Sequence, residues 1–127
     1  MARINSITYD CRHAGTLARF WAAVLDVYEV APYDDEEVER LRGLGIDGVM
    51  DDPNVLVEIP GVLPRLFFQT VPEDKVVKNR VHLDLECDDL DAEIERLKAL
   101  GATVHATYDD LVTMLDPEGN EFCVTRG

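Results

Sequence analysis

The sequence predicts an α+β fold made of two similar halves, each with one strand, one helix and three further strands. Two helix-like segments, 16–27 and 89–100, carry apolar residues at the same successive spacings of four, three and three. A strand-like segment with alternating apolar residues precedes each helix, at residues 4–11 and 80–87. The matching order of strand and helix indicates an internal duplication.

The length of 127 residues allows one ordinary domain. We therefore expect a single domain over residues 1–127, with module one at about 1–71 and module two at about 80–127. The polar segment 72–79 is expected to link the modules, and the DPEGN sequence at 116–120 to form the turn before the last strand.

Three strands are expected to follow each long helix, and an acidic segment between two of them to form a short surface helix. The acidic segment covers residues 34–45. The remaining strands are predicted at 28–33, 54–59, 65–71, 103–108, 111–115 and 121–125.

Composition narrows the classes of function. The net charge is −14, with 12 Lys and Arg residues against 26 Asp and Glu residues. This balance opposes binding to nucleic acid or to an anionic membrane surface, because both need a basic face. The sequence contains no run of about 18 apolar residues, so it predicts no membrane span. The three cysteines form no CxxC pair and no secretory leader is evident, which favours reduced thiols and a cytoplasmic protein.

The polar side of the predicted strands is the candidate functional surface. The first strand places Ser6 and Thr8 opposite its apolar residues, and the fifth strand does the same with His82 and Asp84. If the two halves pair, these polar groups line one concave side and form a small-molecule site. A plain solvated sheet face is the alternative interpretation.

Several short motifs together resemble one protein family. They are FW at 20–21, HLDL at 82–85, DDL at 88–90, LGA at 100–102 and DPEGN at 116–120. The pattern is similar to the vicinal oxygen chelate superfamily, which includes glyoxalase I, bleomycin-resistance proteins and extradiol dioxygenases, and most of all to small bacterial glyoxalase-like domains. The resemblance implies two tandem βαβββ modules that form a partly closed, barrel-like cleft, in a chain that is often a homodimer.

Metal enzymes of that superfamily take their ligands from the first, fourth, fifth and eighth strands. The resemblance places these positions at Ser6, at Phe67 or Gln69, at His82 and at Cys123. Only His82 is a usual ligand at its position, because serine binds divalent metals poorly and two ligands are too few for zinc. We therefore expect no metal and no cofactor.

The expected function is the binding of a small organic ligand, with possible acid–base chemistry at His82 and Asp84. The expected ligand-binding residues are Ser6, Thr8, Phe67, Gln69 and Cys123. Whether the chain is an enzyme stays open; if it is, a lyase or isomerase is expected.

Two other functions stay open. One is a resistance-type protein that sequesters a drug without turnover. The other is a metal-dependent lyase or isomerase with a rearranged site at His82, Glu121 and Cys123. Structural interpretations without a function also stay open. In these, His82 forms a hydrogen bond to a neighbouring carboxylate, and Cys123 is an ordinary half-buried side chain.

Overall fold

The computed structural model describes residues 1–127, which divide into two compact units, Met1–Asp74 and Lys75–Gly127. Each unit contains one four-stranded sheet and a long helix. The predicted α+β class and the repeated order of one strand, one helix and three strands are confirmed. None of the helices combines the length and the hydropathy that a membrane crossing requires.

The first unit carries the longer set of elements. Its sheet has the order β1-β4-β3-β2, in which β1 and β4 run parallel and the other neighbours are antiparallel. The elements are β1 (Ser6–Cys11), α1 (Ala14–Val24), β2 (Glu29–Val30), α2 (Asp35–Gly43), a 3₁₀ turn (Val49–Asp51), β3 (Asn54–Ile59) and β4 (Val62–Thr70).

The second unit repeats this topology without α2 and the 3₁₀ turn. Its sheet has the order β5-β8-β7-β6, again with one parallel pair, β5 and β8. The elements are β5 (Leu83–Cys87), α3 (Leu90–Leu100), β6 (Thr103–Thr107), β7 (Leu111–Leu115) and β8 (Glu121–Arg126).

The duplication extends to single hydrogen bonds. Cys11 and Cys87 are the last residues of β1 and β5. The Cys11 thiol donates to the backbone carbonyl of Gln69 at 3.5 Å, and the Cys87 thiol donates to that of Thr125 at 3.6 Å. The two bonds therefore fix the same register between the parallel strands of each unit.

Each unit packs its long helix on one side of its sheet. In the first unit, Trp21 of α1 and Phe68 of β4 are both fully buried. The Tyr9 ring stacks on both, with ring centroids 5.7 Å from Trp21 and 5.3 Å from Phe68. In the second unit, Leu97 of α3 and Phe122 of β8 are fully buried. Burial of these faces leaves the other side of each sheet toward solvent.

Helix α1 begins and ends earlier than its apolar spacing predicts. Its N-cap is His13, whose Nδ1 atom accepts the backbone N–H of Thr16 at 3.1 Å. The helix ends at Val24, and Val27 is exposed with a positive φ of 56°. The last apolar residue of the predicted series therefore lies outside the helix and outside the core.

Strand β5 begins at Leu83, three residues later than predicted. Its partner β8 begins at Glu121, and that side chain accepts the backbone N–H of Asn79 at 2.7 Å. Asn79 in turn accepts the backbone N–H of Glu121 through its side-chain oxygen. These side-chain bonds replace a strand ladder before Leu83, so His82 lies just outside β5.

Candidate functional site

The predicted ligand-binding residues of the first unit share the side of the sheet that faces away from α1. Thr8 pairs with Phe67 across the parallel strands, and Ser6 and Gln69 lie two residues from this pair on β1 and β4. Alternation of side chains puts these four residues on one side. Phe67 is half-buried there, whereas Phe68 is fully buried against α1.

A cavity of about 360 Å³ lies on the Phe67 side of this sheet. Its floor comes from β3 and β4, and its walls come from α2 and the segments that flank this helix. The lining residues are Ala31, Pro32, Tyr33, Glu37, Arg40, Asp52, Asn54, Leu56 and Phe67. Of the predicted ligand-binding residues, only Phe67 is among them.

Helix α2 forms one wall of the cavity. Asp34 caps the helix by accepting the backbone N–H of Glu37 at 2.8 Å, and acidic residues occupy its first turn. Leu41 is the one residue of α2 that is buried. Glu37 and Arg40 face the cavity and are joined by a 3.0 Å ion pair.

Asp52 is the buried polar group of this cavity, with 4% of its surface exposed. Its carboxylate accepts the Tyr33 hydroxyl at 2.6 Å and the backbone N–H of Asn54 at 3.0 Å. Burial, followed by this hydrogen bond and the negative charge of Asp52, raises the pKa of Tyr33 well above its ordinary value. Tyr33 therefore remains a protonated donor to Asp52.

In the second unit, His82, Asp84 and Cys123 form a cluster on the side of the sheet away from α3. Asp84 is the strand partner of Cys123, and the His82 Nδ1 atom lies 3.1 Å from the Asp84 carboxylate. One ligand atom from each of the three residues lies within 4.8 Å of the other two. The Thr113 hydroxyl is 3.5 Å from the Cys123 sulfur. Asp84 therefore contacts His82, which lies two residues before it in the sequence.

The Glu121 carboxylate, which the sequence suggests as a metal ligand, is bound by groups of the segment before β5. Its carboxylate accepts hydrogen bonds from the Lys78 ammonium group at 2.8 Å and from the backbone of Asn79, and Lys75 lies 3.5 Å away. These contacts, the Lys78 hydrogen bond foremost, lower the pKa of Glu121 to about 2. The structure thus groups Asp84, not Glu121, with His82 and Cys123.

The register within each unit tests the four-strand metal set of the superfamily. Cys123 is the strand partner of Asp84, and the repeated cysteine bonds make Phe67 its counterpart in the first unit. The fourth-strand position is therefore Phe67, a phenyl ring, and the first-strand position is Ser6. This set does not fit a divalent metal held from four strands.

Residues 43–48, GLGIDG, have the G-x-G-x-x-G spacing found in dinucleotide-binding turns. That function requires a strand before the glycines and a helix after them. Here Gly43 is the last residue of helix α2, and the segment leads to a short 3₁₀ turn. The surroundings of this motif are therefore those of a helix end, not of a phosphate-binding turn.

Solved structures with the same fold come from proteins of low sequence identity. A glyoxalase/bleomycin resistance protein/dioxygenase family enzyme from Burkholderia phytofirmans PsJN is 15% identical, with a TM-score of 0.68 and 98% of each chain covered. The antibiotic-binding protein TnmS3 from Streptomyces sp. CB03234 is 16% identical, with a TM-score of 0.61 over 99% of this chain and 96% of TnmS3.

A third structure is the fosfomycin resistance protein FosX from Listeria monocytogenes, which is 13% identical with a TM-score of 0.67. The match covers all of this chain and 94% of FosX. A comparison with curated proteins finds no match. The family model described as a glyoxalase-like domain matches residues 6–125. The chain therefore belongs to the glyoxalase-like domain family.

Proposed function

We propose that this chain binds a small organic molecule on a sheet side that faces away from its long helix, and, as a separate part of the proposal, that His82 and Asp84 of the second unit supply acid–base chemistry to a ligand. The observation that carries the proposal is the cavity beside Phe67, which is lined by residues of both apolar and polar character. The proposed ligand contacts are Ser6, Thr8, Phe67 and Gln69 in the first unit and, independently, Cys123 in the second.

The His82 and Asp84 pair supports the acid–base part of the proposal. A carboxylate 3.1 Å from Nδ1 favours the tautomer in which Nδ1 carries the proton. Nε2 is then the basic atom that accepts a proton from a ligand and returns it. The side chain of His82 is 39% exposed, so a ligand from solvent has access to it. Proton abstraction and return is the chemistry of an isomerase or a lyase.

A ligand-induced thermal-shift screen identifies binders, and each binder is then tested for consumption by the wild type, His82→Ala and Asp84→Asn. We expect His82→Ala to abolish consumption and Asp84→Asn to reduce it by roughly ten- to a hundredfold, since general acid–base catalysis contributes about that much or more. His105→Ala on β6 serves as the control because this histidine is exposed and outside the cluster. Unchanged binding and turnover in His82→Ala would disprove the site assignment.

Sequestration without turnover is a second candidate function. TnmS3 is described as an antibiotic-binding protein and FosX as a fosfomycin resistance protein, and both share this fold. In this case the ligand binds tightly and is recovered unchanged after incubation. We propose that the binding form is a homodimer, which sedimentation equilibrium tests. The three cysteines form no disulfide, which supports a protein of the cytoplasm.

The cluster of His82, Asp84 and Cys123 is the observation that favours the metal-dependent alternative. An imidazole, a carboxylate and a thiol suit zinc better than the hard cations that oxygen ligands select. Elemental analysis of protein purified without chelator tests this alternative. Zinc, nickel, manganese and iron at well below one equivalent would eliminate it, and a full equivalent that is lost in His82→Ala would support it.

A further inference from the structure

The cavity of the first unit contains a buried carboxylate that belongs to no ion pair. Asp52 is 4% exposed, and its two hydrogen-bond donors, the Tyr33 hydroxyl and the Asn54 backbone N–H, are both neutral. A carboxylate accepts about four hydrogen bonds, so acceptor capacity remains. Buried charges in proteins are usually paired with an opposite charge, because removal from water is costly.

Arg19 and Arg40, the arginines that act electrostatically on the Tyr33 and Asp52 pair, donate their hydrogen bonds to other groups. Arg40 lines the cavity and attracts Asp52 electrostatically, but its guanidinium donates its hydrogen bonds to the Glu37 carboxylate, through Nη2 at 3.0 Å and Nε at 3.4 Å. Arg19, which acts on Tyr33 electrostatically, donates to the backbone carbonyl of Gly15 at 2.9 Å. Since Arg40 and Glu37 neutralise each other, the lining keeps one negative charge, that of Asp52.

The rest of the lining is suited to a flat apolar body. Leu56 and Phe67 are strand partners on the cavity floor, and Ala31 and Pro32 add apolar surface at the side. The volume of about 360 Å³ lies within the range of small-molecule sites. A ring against Phe67 can therefore extend a charged group toward Asp52.

We propose that this cavity binds a small aromatic molecule that carries a protonated amine, with the ammonium group on Asp52 and the ring against Phe67. This inference rests on the proposed function and names the class of its ligand. The ammonium group supplies a cation in direct contact with Asp52, which Arg40 influences only from beyond ion-pair distance, and the net charge of −14 favours the approach of a cation. Asp52 and Tyr33 become specificity-determining residues of the site.

Three indoles of matched shape test the charge preference by calorimetric titration of the wild type: tryptamine as the cation, indole-3-propionate as the anion and indole-3-propionamide as the neutral form. We expect tryptamine to bind at least roughly tenfold more tightly than the other two, the effect of one charge-assisted hydrogen bond. Equal affinity for all three would overturn the inference and leave the proposed binding function intact.

Asp52→Asn then tests the residue, because the amide keeps the shape of the side chain and one oxygen acceptor. We expect tryptamine affinity to fall by roughly tenfold or more while propionamide affinity stays within about twofold. Asp51→Asn is the matched control, since Asp51 is the exposed neighbour that faces His13. An unchanged preference in Asp52→Asn overturns the inference. The wild-type comparison decides the question even if this variant fails to fold.

Failure of all three indoles to bind also overturns the inference. The thermal-shift screen then distinguishes the ligand-class inference from the proposed function. If the screen finds a different ligand whose consumption is lost in His82→Ala, the proposed function stands. If the screen finds no ligand, the inference and the proposed function both fail.

Discussion

The hydroxyl group of Tyr33 and the buried carboxylate of Asp52 form a 2.6 Å hydrogen bond between the segment before α2 and the segment before β3. The two residues are nineteen positions apart in sequence. The bond therefore ties both ends of the α2 segment to each other, and it makes the wall of the cavity sensitive to one hydroxyl group.

Removal of that hydroxyl by Tyr33→Phe leaves the Asp52 carboxylate without its shortest donor. We expect the free energy of unfolding to fall by about 1–3 kcal/mol, the cost of one unsatisfied buried acceptor. Urea unfolding at pH 7 measures it. Tyr108→Phe is the control, because Tyr108 is 62% exposed, and we expect no change there. Equal stability of Tyr33→Phe and the wild type would contradict the role given to this bond.

The raised pKa of Tyr33 predicts a loss of stability at alkaline pH. Burial keeps this phenol protonated in the folded state, whereas in the unfolded chain it ionises near its ordinary pKa of about 10. The stabilisation is complete below that value and declines as the pH rises toward the folded-state pKa. Thermal unfolding from pH 8 to 11 should show a decline that is smaller in Tyr33→Phe.

Glu121 predicts the opposite dependence at acid pH. Its pKa is lowered to about 2 by Lys78, Asn79 and Lys75, so its stabilisation is present above the ordinary value of about 4.5 and is lost as the pH falls toward 2. We expect Glu121→Gln to be less stable than the wild type at pH 6 and nearly equal to it at pH 2. Glu95→Gln, which removes an exposed partner of Lys98, should change stability little at either pH.

Gly15 predicts a steric effect that is independent of charge. A Cβ atom at this position would lie 2.1 Å from the backbone oxygen of Met50, where α1 meets the 3₁₀ turn. We expect Gly15→Ala to destabilise the fold by about 3 kcal/mol, as overpacking against backbone does. Gly43→Ala is the control, because nothing lies within 4 Å of a Cβ at that position, and its stability should equal or exceed that of the wild type.

The DPEGN turn predicts a structural effect for its first residue. The Asp116 carboxylate is 4% exposed and accepts the backbone N–H groups of Glu118 and Asn120 and the side-chain amide of Asn120. We expect Asp116→Ala to lower the free energy of unfolding by about 3 kcal/mol, since hydrogen bonds to a charged group are the stronger kind. Asp109→Ala, an exposed control in the loop before β7, should have little effect.

Most of the regular structure follows from local periodicity. Alternation predicted β3 at 54–59 and β7 at 111–115, and the structure gives both strands these bounds. The α3 helix is confirmed within one residue, with Asp89 as its N-cap and Gly101 in the left-handed conformation at its end. In these segments each local preference agrees with the burial that the sheet or helix imposes.

The predicted strand bounds are wrong where contacts with residues distant in sequence determine the start or end of a strand. The alternating pattern predicts that β5 begins at residue 80 and includes Val81. In the structure Val81 is 77% exposed, and Glu121 binds Asn79 through its side chain before the strand begins. The prediction for 28–33 shrinks to the two residues Glu29–Val30, as Pro32 lacks the N–H that a longer ladder needs.

The candidate site was predicted in part. The sequence identified the polar faces and placed His82 beside Asp84, and the structure shows a 3.1 Å contact between them. The sequence does not predict the walls of the cavity. Helix α2 has one buried residue, Leu41, among charged residues, and this composition is typical of a surface helix. No local pattern signals the Tyr33 and Asp52 bond. The one available hint was a tyrosine next to an otherwise acidic segment.

The insertion between β2 and β3, which has no equivalent in the second unit, forms a wall of the cavity and no part of either sheet. Because α2 adds no strand to either sheet, its composition can change while the pleated framework keeps its pairing. Substitutions in this stretch therefore change the wall of the cavity and leave the strand pairing of both sheets in place.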